Sequence, residues 1–182
     1  MVHVEVRLKD GRFVVVRDFQ MADKERLVEM YASLSSETVR WGMPPYTREV
    51  IDRWTSNLQN LTILVAVYDD SIVGHAQLYK FPHSRRKGMC DLVIYLHQGF
   101  HNQGLGTAML AELIRQARSE RLHRINLHVI VDNKLAVRLY RKFGFKTEGT
   151  MKDSYLGDDG KYHDELVMGL ILPSSTSPSR AP

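Results

Sequence analysis

Asp91–Arg121, DLVIYLHQGFHNQGLGTAMLAELIRQARSER, is the stretch on which the fold turns. An apolar strand from Leu92 to Leu96 runs into a polar loop holding Gly99, Gly104 and Gly106, and an amphipathic helix follows. On that helix Leu105, Ala108, Met109, Leu113, Ile114 and Ala117 fall on one face. Thr107, Glu112, Arg115, Gln116 and Arg118 fall on the other. A glycine-bearing loop that feeds a helix start leaves backbone N–H groups free and adds the positive end of the helix dipole, an arrangement suited to phosphate. Gly99 to Gly104 has Walker A spacing, but Leu105 and Gly106 stand where Lys and Ser/Thr should follow. Gly104-Leu105-Gly106 begins a dinucleotide fingerprint, but Met109 replaces its third glycine. Two close glycines alone are equally well read as a tight turn capping a helix.

Working outward, Val2 to Leu8 alternates as a strand, Asp10-Gly11 supplies a turn, and Phe13 to Arg17 returns. Ala22-Asp23 opens a helix to about Leu34, with Leu27, Val28, Met30, Tyr31 and Leu34 apolar. Ser35 to Thr47 reads as irregular, closed by Pro44-Pro45, after which Thr47 caps a helix through Arg53, Trp54 and Leu58. Thr62 to Tyr68 and Ser71 to Phe81 form a hairpin around Asp69-Asp70, and Met89 to Leu96 is the next strand. Past the central helix come a strand from Ile125 to Val131 and a helix from Asn133 to Phe143 capped by Asp132. Leu135, Ala136, Leu139, Tyr140 and Phe143 recur helically on it. Lys146 to Tyr155 and Tyr162 to Ile171 close the chain as an antiparallel pair. The expected architecture is α/β, a mixed sheet with helices on both faces.

A chain of 182 residues, 43% hydrophobic, is long enough for one globular domain, expected over 1–172. Residues 173–182, ending SSTSPSRAP, are too polar to bury and are expected as a disordered tail. No apolar run approaches a membrane span, and MVHVEVRLKDG does not read as a signal peptide. The single Cys90 excludes an intrachain disulfide and fits a reducing, cytoplasmic compartment, where it is expected as a buried thiol. A net charge of +4 with well-mixed signs, and one cluster at Arg85-Arg86-Lys87, gives no reason to expect nucleic acid or membrane as partner. The eight histidines form no ligand spacing, so no metal is expected.

Downstream, Asn133, Ala136, Tyr140, Gly144 and Phe145 stand in the order N-x-x-A-x-x-x-Y-x-x-x-G-F. With HNQGLGTAML, His101 to Leu110, this resembles the GNAT superfamily of N-acetyltransferases over about Arg12 to Leu172. The resemblance implies a mostly antiparallel, twisted sheet of GNAT type and acetyl-CoA as cosubstrate. It implies that His101, Asn102, Gln103, Gly104, Leu105, Gly106 and Thr107 hold the pyrophosphate, although His101 stands where the family has Gln or Arg. It further implies that Ile94, Tyr95 and Leu96 offer backbone groups to the pantetheine and acetyl oxygen, and that Asn133 binds further along the coenzyme. Tyr140 is implied as the acid for the leaving thiol; a core tyrosine is the alternative.

Amine acetylation needs a neutral amine, donors for the thioester oxygen and a proton for the departing thiolate. For the base, His128 stands five residues before Asn133, where the ribosomal-protein alanine N-acetyltransferases, which the chain resembles there, carry a glutamate. A neutral imidazole can accept a proton directly or through water. Asp91 and His97 are further candidates. The resemblance places the acceptor among the early helices and the final hairpin, which nominates Glu37, Arg40, Trp41, Tyr46 and Tyr155. The acceptor is a primary amine: a protein N-terminus, a polyamine or a small amino compound. A non-catalytic acyl-CoA-binding regulator is the alternative function, and a homodimer is left open.

Overall fold

The computed structural model describes residues 2–173, so all but the first residue of the expected tail lies outside the described residues. Eight strands form one sheet: β1 (His3–Arg7), β2 (Phe13–Asp18), β3 (Leu61–Tyr68), β4 (Ser71–Lys80), β5 (Met89–Leu96), β6 (Arg124–Ile130), β7 (Lys146–Leu156) and β8 (Tyr162–Ile171). Their order across the sheet is β1-β2-β3-β4-β5-β6-β8-β7. Every neighbouring pair is antiparallel except β5 and β6, which are parallel. That pair needs a crossover, and α4 (Leu105–Ser119) supplies it. The last strand in sequence, β8, lies inside β7, and its Glu165–Ile171 segment pairs with the whole of β6.

Alternation along the strands splits the apolar side chains between two layers. On β3, Leu64 and Ala66 face α4 and α5 (Lys134–Lys142), where Met109, Leu110, Leu113, Val137 and Tyr140 complete one core. Val65 faces the other way, toward Leu27, Met30 and Tyr31 of α1 (Lys24–Ala32) and Ile51 of α3 (Arg48–Thr55). Helices therefore cover both faces. Each fully buried leucine in these layers contributes roughly 1.5–3 kcal/mol. No helix of the described residues is long and apolar enough to cross a membrane. Cys90 is buried, and desolvation pushes its thiol up to about 12.

Four local details differ from the sequence reading. Ser36–Val39 forms a short helix, α2, inside the segment read as irregular. The helix after Thr47 stops at Thr55, and the Thr47 side chain makes no capping bond. Glu112 is buried in the α4 layer, held by Arg115 one turn on (2.6–3.0 Å). On α5, Leu135 is exposed and Val137 takes the buried position. Ala136, Leu139, Tyr140 and Phe143 still pack on the core, and the helix begins one residue later than expected.

Candidate active site

The site begins where the parallel pair comes apart. β5 and β6 are in register only at Met89–Arg124, Cys90–Ile125 and Asp91–Asn126. β5 continues to Leu96 and β6 to Ile130, so beyond Asp91 one edge of β5 has lost its neighbour while β4 still holds the other. A freed strand edge offers N–H and C=O groups to an extended ligand. At its end, His101 Nε2 lies 2.9 Å from the Leu96 carbonyl, so the imidazole that sequence assigned to pyrophosphate is turned onto the strand.

The loop that follows is braced from outside. Arg12 donates to the Gly99 carbonyl (2.7 Å) and lies 4.1 Å over the Phe100 ring. Lys9 N–H donates to the Gln103 carbonyl (3.1 Å), tying the β1–β2 turn to the same loop. Asn102 (φ 60°) and Gly104 (φ 94°) adopt left-handed backbone, which swings the chain into the first turn of α4. Among the described residues no side chain caps that helix. The N–H groups of Leu105, Gly106 and Thr107 therefore point out of the helix end without intrahelical partners. Leu105 has its side chain fully in the core, so it offers backbone alone. Gly106 is where α4, β5 and α5 meet: a Cβ there would sit 3.3 Å from Leu96 Cδ1 and 3.5 Å from Leu139 Cδ2. A diphosphate fits this uncapped helix end, and an amide-bearing arm fits the strand edge leading from it.

Asn133 caps α5, its Oδ1 accepting from the Ala136 N–H (3.2 Å); Asp132, read as the cap, instead meets His163 Nδ1 at 2.8 Å. Tyr140, two turns along, is 7% exposed, with its ring tilted against Phe145. Burial pushes its phenol above the usual range. Burial also raises Tyr95, and Tyr46, Tyr140 and Tyr155 all lie close enough to oppose its ionisation. The Tyr140 ring belongs to the core on the α4–α5 face of the sheet.

The three candidate bases separate cleanly. His97 has Nδ1 accepting from Gly99 N–H (3.2 Å) and Nε2 3.1 Å from the Gln98 amide, which fixes it as a turn residue. Asp91 accepts from Asn126 Nδ2 (3.1 Å). His128, two residues past the last β5–β6 pair, stands half-exposed at the lip of the opening with Glu165 Oε2 3.6 Å from its Nδ1.

The acceptor candidates fall into two groups. Arg40 lies 4.9 Å over the Trp41 ring and 3.6 Å from Glu37; Trp41 in turn packs against Tyr155 and edge-on to His163. The Tyr155 hydroxyl sits between the carbonyls of Arg40 (2.8 Å) and Gly42 (2.7 Å), fastening the α2 loop to the last hairpin. Tyr46 is elsewhere. Its hydroxyl pairs with that of Tyr95 and accepts from Met43 N–H (2.7 Å), within a ring cluster that includes Tyr31 and Trp54. Gln98, in the loop after β5, ties that loop to the segment between α1 and α2: its Nε2 donates to the Ser33 carbonyl (3.0 Å) and its Oε1 accepts from the Ser35 N–H (3.1 Å).

Sequence reading missed Glu165, His163 and the buried pair His75 and Gln77. Alternation within the last strand puts Glu165 and Val167 on one face. Only the pairing of β8 with β6 brings that face to His128.

The acetyltransferase (GNAT) family model matches residues 27–145. The chain is 28% identical to the L-amino acid N-acetyltransferase AaaT of Escherichia coli, over 87% of this chain and 98% of that protein. It is 26% identical to the L-methionine sulfoximine/L-methionine sulfone acetyltransferase of Pseudomonas aeruginosa, over 90% and 98%. Among solved structures, an acetyltransferase of the GNAT family from Streptococcus pneumoniae superposes with a TM-score of 0.79 at 27% identity, over 87% of this chain and 99% of that one.

Proposed function

Since the chain belongs to the acetyltransferase (GNAT) family and is an acetyl-CoA-dependent N-acetyltransferase, we propose that the amine it acetylates is the α-amine of a small, amino-acid-type molecule. Two relatives matched over nearly their whole length are named for L-amino acids or L-methionine derivatives, which supports that class. The observation that carries the reading is the parting of β5 and β6 beyond Asp91 and Asn126, with the uncapped start of α4 above it and His128 on its lip.

Bound acetyl-CoA supplies a thioester, an acyl donor whose leaving group is a thiolate. The chain's residues do the rest. An α-amine, with its ordinary pKa near 7.7–8.0, is mostly protonated at pH 7 and must lose a proton before attack. His128 Nε2 takes that proton, directly or through one water, while Glu165 faces Nδ1 on the far side and stabilises the imidazolium that forms. Backbone N–H groups on the freed edge of β5 meet the charge that develops on the carbonyl oxygen. Leu105, Gly106 and Thr107 N–H groups hold the diphosphate and fix the donor's position.

Tyr140 faces the departing sulfur. With ordinary values, full proton transfer from a phenol to a thiolate is uphill by about 1.5 units, roughly 2 kcal/mol. Burial raises the Tyr140 phenol, so leaving a phenolate in that layer is disfavoured. Its role is therefore to donate a hydrogen bond to the sulfur as charge develops, rather than to give up its proton outright.

Thiol release from acetyl-CoA, measured over free L-amino acids, alanine-ended peptides and spermidine, tests the reading. Turnover with free amino acids is expected. Turnover with peptides or spermidine alone would overturn the acceptor class, and coenzyme binding without thiol release across the whole panel would overturn catalysis itself.

A further inference from the structure

The turn between β1 and β2 grips the loop before α4 at both of its ends. Arg12 Nη2 donates to the Gly99 carbonyl (2.7 Å), and the Lys9 N–H donates to the Gln103 carbonyl (3.1 Å). The turn is itself firmly held. Leu8 N–H donates to the Arg12 carbonyl (2.8 Å), Gly11 N–H donates to the Leu8 carbonyl (3.0 Å), and the Leu8 side chain is buried in the core. Asp10 accepts from the Arg12 side chain through Nε (2.9 Å) and Nη2 (2.6 Å). With that fork in place the guanidinium lies 4.1 Å over the Phe100 ring and 5.5 Å over the Tyr68 ring, which meets Phe100 edge-on.

A pinned carbonyl aims the next amide. In a trans peptide the C=O and the following N–H point in opposite directions. Holding the Gln103 carbonyl toward the hairpin therefore turns the Gly104 N–H away from it, and that N–H has no partner among the described residues. It directly precedes the unpaired N–H groups of Leu105, Gly106 and Thr107 at the start of α4. Unpaired N–H dipoles gathered at one end repel each other, and Asn102 (φ 60°) holds left-handed backbone that costs an L residue energy. Such a loop keeps its shape only if its surroundings enforce it. His101 is engaged elsewhere, its ring turned onto the Leu96 carbonyl. The hairpin supplies the brace.

We propose that Arg12 is a positioning residue for the coenzyme. It and the β1–β2 turn hold the Gly99–Gln103 loop in the conformation that receives the diphosphate, so that binding does not first have to order the loop. The inference rests on the diphosphate reading of the α4 start and extends it to a side chain 87 positions from Gly99 in sequence. Arg12 acts through the loop and does not touch the ligand. Asp10 offsets its charge, so its contribution is geometric. The benefit is confined to ligands that carry the diphosphate; a pantetheine arm alone gains nothing from it.

Calorimetric titration of the intact protein with CoA and with pantetheine, together with steady-state rates, tests the assignment. The rates use whichever amine gives the fastest thiol release in the panel above. Wild type is expected to bind CoA at least tenfold more tightly than pantetheine. In Arg12→Ala the CoA dissociation constant and the acetyl-CoA KM are expected to rise roughly tenfold, with kcat and the amine's KM within about twofold of wild type. Arg12→Lys, which keeps a donor for the Gly99 carbonyl, is expected to recover part of that loss. CoA affinity within twofold of wild type in Arg12→Ala overturns the positioning role while the diphosphate reading stands. So does a loss shared equally by kcat and the amine's KM, which a merely loosened fold would give. Wild type binding CoA and pantetheine equally overturns the diphosphate reading instead. Should Arg12→Ala not fold, Arg12→Met keeps a stem over Phe100 and Tyr68 and takes its place: the same tenfold loss of CoA affinity supports the assignment, and unchanged affinity overturns it.

Discussion

The two faces of the sheet are made of different material. On the α4–α5 face, Leu, Val, Ile, Met and Ala fill a nearly unbroken apolar layer, and what emerges at the start of α4 is uncapped backbone. The α1–α3 face is aromatic and hydrogen-bonded: Tyr31, Tyr46, Trp54 and Tyr95 meet ring to ring, with His75 and Gln77 buried among or beside them. A ligand common to many enzymes can be held by amides, which every residue possesses, so side chains behind them are free to serve the core. An acceptor that distinguishes one enzyme from another has to be read by side chains. The apolar face should therefore carry the larger share of stability, and the aromatic face the larger share of selectivity.

Stability gives the sharpest break. Leu113 is fully buried in the α4 layer, and Leu113→Ala should cost about 2–5 kcal/mol in chemical denaturation through lost burial and the cavity left behind. A loss below about 1 kcal/mol would mean that the layer collapses around the gap and is not the rigid support assigned to it. Tyr140→Phe comes next. It removes one hydroxyl from that layer, and kcat should fall about 100-fold, equivalent to about 2.7 kcal/mol, with acetyl-CoA affinity and melting temperature nearly unchanged. Full activity in the variant would return Tyr140 to a purely packing role.

These two residues also show what the sequence could and could not disclose. The coenzyme side is local: strand, glycine loop and helix lie within Asp91–Arg121, so spacing along the chain reports spacing in space. Met89–Leu96 was legible to the residue because a buried strand between Gly88 and a polar loop has few other readings. Asn133 and Asp132 were harder. Either can cap a helix, and the choice is decided by His163, 31 residues beyond Asp132, which takes the Asp132 carboxylate. Glu112 read as outward because charge is normally exposed, yet Arg115 one turn away lets it stay buried. The acceptor side was almost illegible, since it is assembled from α2, α3, β4, β6 and β8. Nothing in the local pattern says that β8 inserts between β6 and β7, and without that step Glu165 never comes near His128.

The lip of the opening offers a smaller but more discriminating measurement. His128→Gln keeps a polar side chain of similar reach but cannot take a proton, so kcat/KM for the acceptor should drop roughly 10- to 100-fold near pH 7. The loss should shrink as pH rises past the amine's own pKa, where a neutral amine no longer needs a base. A deficit that is the same at pH 7 and pH 9.5 would remove His128 as the base and leave the opening as a binding feature only.

The smallest effect concerns the joint between the faces. His163 lies 3.1 Å from Asp159 Oδ1 through Nε2 and 2.8 Å from Asp132 Oδ2 through Nδ1, with Trp41 edge-on to its ring. Hydrogen bonding to Asp159, then to Asp132, raises the imidazole above its ordinary 6.5. The same contacts lower Asp159 and Asp132 below 3.8. A group whose pKa is raised on folding contributes fully below its unfolded value and loses that contribution as pH climbs through the folded one. For the two carboxylates the sense is reversed: they contribute above about 3.8 and lose it as pH falls through their folded values. The joint is thus tightest between about pH 4 and 6.5 and slackens on the alkaline side as His163 gives up its proton. His163→Asn should be less stable than wild type at pH 6, and the difference should narrow by pH 9, because only the wild type has that contribution to lose. A gap that stays constant across the window would show that His163 acts by packing against Trp41 and not by its charge.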